Sequence, residues 1–159
     1  MKKRLCILII LLVLITITGC KKEQKTNDNV LTCTKNEKDK SGKKTSNILT
    51  ITYDNEKISK LKSTTVSEMD PTTINLTMSI GGKVFEEMNK IDGLNMKYQK
   101  VSKNELGLVV EIDYTKIDTK KIKEKLGKLY DEDAKLYNLQ DTSIDNLEKE
   151  LEKEGYSCK

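Results

Sequence analysis

The sequence of 159 residues contains no histidine and no tryptophan, and its only arginine is Arg4. Imidazole is the commonest general base near neutral pH and the commonest ligand of transition metals in proteins. The absence of histidine therefore excludes histidine-based catalytic triads and histidine-ligated metal sites. Beyond Arg4 the chain also lacks the guanidinium fork that binds carboxylate or phosphate in a bidentate manner. We therefore expect a protein that is not an enzyme, with no cofactor and no bound metal.

The charge of the chain is nearly balanced. It has 29 basic and 25 acidic residues, and three of the basic residues are Lys2, Lys3 and Arg4 at the start of the sequence. Without these three the side chains carry a net charge of about +1, too small to attract nucleic acid. We interpret the many lysines as a solvated surface, and we expect no nucleic-acid partner.

The first twenty residues have the pattern of an export signal. The basic residues at positions 2–4 precede an apolar run at 5–15, which is shorter than the roughly 20 residues of a membrane-spanning helix. Residues 17–20, with the sequence Ile-Thr-Gly-Cys, resemble the lipobox at which lipoprotein signal peptidase cleaves. The resemblance implies that Cys20 receives a diacylglyceryl group and becomes the new N-terminus. The alternative is a chance cysteine after an ordinary secretory signal.

The lipobox predicts three segments. Residues 1–19 are the signal peptide, residues 20–29 are a polar tether, and residues 30–159 form a single domain. The mature protein is expected at the cell membrane, on its extracytoplasmic face, held by acyl chains such as palmitate on Cys20. The membrane is therefore its first expected partner, because two acyl chains anchor a protein stably where one does not.

Two cysteines remain for the folded domain. Cys6 is removed with the signal peptide and Cys20 is lipidated, which leaves Cys33 and Cys158. A pair of cysteines in an exported protein is typical of a disulfide, and we predict one between these two residues. The alternative is a pair of buried, reduced thiols that do not meet.

The first part of the domain is predicted to contain two strands and a loop. Residues 30–34 form a short strand that carries Cys33, and the polar residues 35–46 form a loop around Gly42. Residues 49–53 alternate apolar side chains with threonine, a pattern that favours a strand with one buried face.

The strand at 49–53 is expected to turn back on itself. Residues 54–56 supply the turn and residues 57–66 the return strand. Ile58 and Leu61 are spaced by three residues rather than two, and this spacing predicts a β-bulge between them.

A helix is predicted at 71–89. Asp70 followed by Pro71 is typical of a helix start, and the helix has an apolar stripe at Ile74, Met78, Gly81, Phe85 and Met88. Gly81 and Gly82 each lower helix stability by about 1 kcal/mol relative to alanine. They predict either a kink or a close approach of the helix to the sheet.

The remaining elements are a second hairpin and two helices. The hairpin joins strands at 94–98 and 108–114 through a turn near Lys103 and Asn104. Asp118 is predicted to cap helix two, and Thr142 to open helix three, which ends at Gly155. The residues that carry the stripes of these two helices are Ile122, Leu126, Leu129, Ile144, Leu147 and Leu151. Residues 128–141 between them either cover the edge of the core or line a shallow groove.

These features predict an α+β fold, with an antiparallel sheet built from hairpins and two or three helices packed on one face. The lipobox, the two hairpins, the run Ile-Asp-Tyr-Thr-Lys-Ile-Asp at 112–118 and the closing helix resemble the YehR-type family of small bacterial lipoproteins. The resemblance implies this fold and an envelope location. The activity of that family is not established, so the resemblance assigns no functional residues, and the cysteine pair is an addition to the family pattern.

Two classes of function fit the sequence. The first is a non-catalytic binding or accessory module that presents a surface to an envelope protein or a small ligand. The second is a small envelope hydrolase or metal-dependent enzyme that uses carboxylates and lysines, and a structural or immunity-type envelope role is a further alternative. The acidic residues 131–133 are interpreted as a solvated loop, because a calcium site needs more oxygen ligands and a glycine at fixed spacing.

Overall fold

The structure is a computed structural model that describes residues 29–126 and 139–159. In these ranges the chain forms six strands, three α-helices and a short 3-10 turn. In chain order they are β1 (Asn29–Lys38), β2 (Lys44–Asp54), β3 (Lys57–Glu68), α1 (Pro71–Met88), β4 (Leu94–Ser102), β5 (Glu105–Asp113), α2 (Thr119–Leu126), the 3-10 turn (Leu139–Asp141), α3 (Ile144–Lys153) and β6 (Ser157–Cys158).

The described strands form one sheet in the order β4-β5-β3-β2-β1-β6. Every neighbouring pair is antiparallel. The predicted α+β class with an antiparallel sheet is therefore confirmed. The pairing of β3 with β5 joins the two hairpins, and β6 adds the end of the chain to the edge strand β1.

The predicted loop at 35–46 is wrong. β1 continues to Lys38 and β2 begins at Lys44, so only residues 39–43 form the connection. This turn is organised by Asp39, whose Oδ1 accepts hydrogen bonds from the backbone N–H groups of Ser41 at 2.8 Å and Lys43 at 3.0 Å. The lysines suggested a loop because charged residues are depleted in strands, but strand preference depends on the partner strand more than on the residue itself. β1 also begins at Asn29, the residue predicted to end the tether.

The hairpin of β2 and β3 has the predicted turn and the predicted bulge. Asn55 and Glu56 have φ of 47° and 67°, the conformation that two-residue hairpins require because its twist matches that of the strands. Thr52 pairs with Lys60 while Tyr53 pairs with Ile58, so one residue of β3 is extra. This register shift is the bulge that the spacing of Ile58 and Leu61 predicts.

Helix α1 begins as predicted. The Asp70 carboxylate accepts a hydrogen bond from the backbone N–H of Thr73 at 2.9 Å, and Pro71 is the first helical residue. A Cβ atom placed on Gly81 would lie 2.5 Å from the Tyr98 ring, whereas one on Gly82 would meet nothing within 4 Å. The close approach of helix and sheet is therefore confirmed at Gly81. The absence of a side chain there allows α1 to pack closely against β4.

The second hairpin, β4 and β5, is confirmed with its turn at residues 103–104. α2 is capped as predicted, because Asp118 Oδ1 accepts hydrogen bonds from the backbone N–H groups of Lys120 at 3.1 Å and Lys121 at 3.3 Å. The predicted opening of α3 at Thr142 is wrong by one residue: Ser143 precedes the helix. Ser143 forms an isolated antiparallel bridge with Lys57 on β3, just before the helix.

One row of apolar residues crosses five strands and forms the centre of the core. The strand pairing aligns Leu31, Ile51, Leu61, Ile112 and Leu94, all buried. The helix residues that join the same cluster are Met88, Ile122, Ile144, Leu147 and Leu151. Each such side chain contributes about 1.5–3 kcal/mol when fully buried.

The core face is the face that bears the apolar row of Leu31 and Ile51, and the Thr50 face is the opposite one, because successive side chains of a strand alternate between faces. The Asn29 end is the end at which β1 begins, and there Asn29 pairs with Tyr53 of β2. The opposite end is the far end.

Candidate functional site

Polar side chains from four strands lie side by side on the Thr50 face. One row joins Thr50, Lys62, Glu111 and Asn95 across β2, β3, β5 and β4. Paired residues on antiparallel strands have Cβ atoms about 4.5–5.5 Å apart, so their side chains are within reach of one another. The row therefore places two charged groups and two neutral hydrogen-bonding groups in one continuous line.

A second polar row lies next to it toward the Asn29 end. This row joins Thr52, Lys60 and Asp113. Together the two rows line a groove of about 450 Å³ at the surface. A volume of this size lies within the range of small-ligand sites in proteins, about 300–1,000 Å³. We call it the Thr50 groove.

Glu111 is one of the two carboxylates that line the groove. It forms an ion pair with Lys62 at 3.0 Å and accepts a hydrogen bond from the Asn95 side-chain amide at 2.9 Å. The hydrogen bond from Lys62, followed by that from Asn95, lowers the pKa of Glu111 below its ordinary value. The group is therefore ionised at neutral pH and does not serve as a proton donor there.

Asp113 is also bonded to neighbouring residues, through hydrogen bonds and an ion pair. Its burial acts to raise its pKa, but hydrogen bonds from Thr115 and the ion pair with Lys116 outweigh this effect, and the pKa is lowered. The backbone N–H of Thr115 donates to Asp113 Oδ1 at 3.1 Å, and the Lys116 ammonium lies 3.2 Å from Oδ2. These bonds shape the turn that leads into α2, so the run at 112–118 has a structural role in the turn and helix cap.

Three hydrogen-bond donors of the groove lack a partner in the described part of the chain. The side chains of Lys60, Thr50 and Thr52 make no hydrogen bond or ion pair with any residue in 29–126 or 139–159. Lys60 is exposed, and Thr50 and Thr52 are half-buried. The groove therefore combines fully bonded acidic groups with unbonded donors.

A second cavity of about 630 Å³ lies at the far end of the sheet. Glu68 and Glu105 pair directly across β3 and β5 there. The backbone N–H of Lys44 donates to Glu68 Oε2 at 3.3 Å. Like charges placed opposite each other destabilise a strand pair, and Lys38 and Lys44 also line this cavity.

Helix α1 carries an apolar stripe of its own away from the core. Leu76, Ile80 and Val84 are 60%, 61% and 51% exposed and follow one another at intervals of four residues, which places them on one side of the helix. One turn further on, Glu87 pairs with Lys125 of α2 at 3.4 Å. Exposed apolar groups that cluster in this way are typical of contact surfaces.

The predicted disulfide is present. Cys33 and Cys158 are bonded, with Cα atoms 4.0 Å apart, and they pair opposite each other on β1 and β6. Thr32 and Lys159 exchange two backbone hydrogen bonds of 3.0 Å beside them. Cys33 is fully buried on the core face, so the disulfide belongs to the core and not to the Thr50 groove.

The other predicted sites fall largely outside the described ranges. Cys20, the acidic residues 131–133 and most of the segment 128–141 lie outside them. Within the described residues, no three cysteine, aspartate or glutamate side chains are grouped so as to hold a metal ion. No helix among those residues has both the length and the apolar character of a membrane span.

The sequence did not identify the Thr50 groove. Alternation does place Thr50, Thr52, Lys60 and Lys62 away from the apolar residues of their strands, and this was the available signal. What brings them next to Glu111 is the register of β3 against β5, two strands that are separated in sequence by α1 and β4.

Comparison with known proteins supports the fold. No family model matches the chain, and no curated protein sequence matches it. The chain is similar to a solved structure described as the NMR structure of the protein from Streptococcus pneumoniae TIGR4. The TM-score is 0.60 and the sequence identity 18%, over 84% of this chain and 87% of that chain. Similarity at this level of identity shows a shared fold and nothing more.

Proposed function

We propose that the protein is a lipid-anchored binding module of the bacterial envelope. In this proposal residues 1–19 are removed, Cys20 carries the lipid, and residues 20–29 connect it to the domain. The sequence around the lipobox supports the anchor. The start of β1 at Asn29 is compatible with it, because the sheet begins where the polar tether was predicted to end.

The proposal includes an architecture in which the helices cover the core face and leave the Thr50 face open to a ligand. The shared cluster of Met88, Ile122 and Ile144 with the strand residues Leu61 and Ile112 supports this arrangement. The YehR-type family resemblance implies an antiparallel sheet with helices packed on it, and we propose membership of that family on this basis.

The Thr50 groove is the observation that carries the binding role. Its carboxylates, Glu111 and Asp113, are held ionised by neighbouring donors, and both have a lowered pKa. A general acid at neutral pH needs the opposite, a raised pKa. Hydrogen-bond donors without a partner, next to carboxylates that are already bonded, fit recognition of a ligand better than proton transfer. We therefore prefer the binding module to the small hydrolase or metal-dependent enzyme.

The anchor is tested by the mass of the mature chain. Expressed in a bacterium, the protein should begin at Cys20 and carry the mass of attached acyl chains, and it should remain in the membrane fraction. A Cys20→Ala variant should accumulate as the uncleaved precursor. A mature chain that begins at another residue, or that is found in the soluble fraction, contradicts the anchor.

The binding role is tested by site-specific crosslinking in intact cells. A photo-reactive residue at Thr50 should give a discrete crosslinked product, because the side chain opens into the groove. The matched control is the same residue at Lys149, an exposed position on α3. Identical product patterns at the two positions contradict a specific role for the groove.

A further inference from the structure

Four donors of the Thr50 groove form a compact array. Thr52 lies opposite Lys60, and Thr50 lies opposite Lys62. Neighbouring strands are about 4.8 Å apart, and alternate residues of one strand are about 6.7 Å apart. Two hydroxyl groups and two ammonium groups therefore occupy the corners of one small rectangle at the surface.

The charge balance leaves this rectangle positive. Glu111 neutralises Lys62, with their charged atoms 3.0 Å apart, and Asp113 is neutralised by Lys116 at 3.2 Å. Lys60 pairs with Asp113 across β3 and β5, but its ammonium group forms no ion pair among the described residues. An ammonium group has three donor hydrogens, so Lys62 also keeps donors beyond its bond to Glu111.

The donor types favour phosphate over carboxylate. A planar carboxylate is bound best by the planar fork of arginine, which the described domain lacks. Lysine binds phosphate as a point charge, and hydroxyl groups add hydrogen bonds in directions that suit a tetrahedral group with several acceptor oxygens. A groove of about 450 Å³ has room for a phosphate together with part of the molecule that bears it.

The groove lies close to where the proposed anchor enters the domain. Val30 pairs with Thr52, and Thr52 pairs with Lys60. Lys60 is therefore two strand spacings, about 10 Å, from the first residues of β1. A tether of residues 20–29 spans at most about 35 Å when extended. If the anchor holds, the groove is within reach of lipid headgroups.

We infer that Thr50, Thr52, Lys60 and Lys62 bind the phosphate group of a small ligand or of a phospholipid headgroup. The phosphate site stands on the groove alone, whereas the lipid source rests on the proposed anchoring through Cys20. Both sources present the same phosphate oxygens to the groove. Separate titrations with inorganic phosphate and with a phospholipid therefore distinguish them.

The experiment is an NMR titration of the full chain in a neutral detergent, with amide shifts recorded residue by residue. The probes are inorganic phosphate and a short-chain phosphatidylglycerol, with acetate and chloride as controls at equal ionic strength. Phosphate should move the amide signals of Thr50, Thr52 and Lys60, and the controls should not. Tighter binding of the phospholipid identifies a headgroup as the ligand, and binding of inorganic phosphate alone identifies a free phosphate compound.

Two matched lysine variants test whether Lys60 contributes to phosphate binding. Lys60→Gln should weaken phosphate binding by about fivefold, corresponding to one exposed charged contact. The control is Lys97→Gln, which removes an exposed lysine of the same face that does not line the groove. Its effect should stay below about twofold.

Three outcomes overturn the inference: equal shifts with chloride, shifts spread over exposed lysines outside the groove, or equal loss in the two variants. None of these outcomes bears on the proposed lipid anchor at Cys20, because the anchor is tested separately, by the mass of the mature chain. A chain that binds phosphate but carries no lipid contradicts the anchor and the headgroup source, and keeps the phosphate site.

Discussion

Removal of the disulfide is expected to lower the stability of the domain substantially. The bond joins residues separated by 125 positions, so it closes nearly the whole described domain into one loop. In the chain-entropy model a loop of this length stabilises the folded state by about 5 kcal/mol, through restriction of the unfolded chain. For a domain of this size the loss corresponds to a fall in melting temperature of about 15–20 °C.

The perturbation is the double variant Cys33→Ala with Cys158→Ala. Alanine is chosen because Cys33 is fully buried, and a serine there would bury a hydroxyl group. Urea unfolding followed by circular dichroism gives the free energy of unfolding and its dependence on urea. That dependence should become steeper, because the unfolded chain without the crosslink exposes more surface.

Reduction of the native protein with dithiothreitol is the control. It should lower the free energy of unfolding by the same amount as the double variant, within about 1 kcal/mol, because both remove one crosslink. A double variant that unfolds within about 1 kcal/mol of the native protein would refute the reasoning, since the loop would then contribute little.

Two further predictions concern α1 and the groove. Gly81→Ala should lower the free energy of unfolding by about 1–3 kcal/mol, because its Cβ would overlap the Tyr98 ring, whereas Gly82→Ala should raise it by up to about 1 kcal/mol through helix propensity. The lowered pKa of Glu111 stabilises the folded state above the unfolded-state pKa of about 4.3, and this contribution is lost as the pH falls through the lower folded-state pKa. Glu111→Gln should therefore make the acid-induced loss of stability shallower.

Chemical denaturation checks both predictions. For α1, equal effects of the two glycine substitutions would show that the ring of Tyr98 moves aside without cost. For the groove, unfolding free energies are measured at a series of pH values from neutral to acidic. A Glu111→Gln curve parallel to that of the native protein would contradict a stabilising role for its bond to Lys62.

Local patterns were sufficient for much of the fold. Alternation at Leu49, Ile51 and Tyr53 predicted β2, and Asp70 with Pro71 predicted the start of α1. In each case a short stretch of sequence determines the outcome, because the turn or cap residue satisfies backbone groups within a few positions of itself. The glycine pair at 81–82 predicted either a kink or a close approach of the helix to the sheet, and the structure shows the close approach at Gly81.

The failures share a different cause. Residues 35–38 and 44–46 are strands because β1 and β2 pair along their whole length, and the charged side chains there gave no sign of it. The Thr50 groove depends on the alignment of β3 with β5, which no local pattern encodes. Alternation separates polar from apolar residues within one strand, but it does not predict which polar residues of different strands become neighbours.

The bond between Cys33 and Cys158 also sets how the domain responds to mechanical load. Lys159 lies beside Thr32, so both ends of the described chain leave the sheet from adjacent positions. When Asn29 and Lys159 are pulled apart, tension passes from β1 through the two sulfur atoms into β6. The 124 residues between the two cysteines carry none of it. A domain that is pulled at these points can lengthen by only a few residues while its fold stays intact.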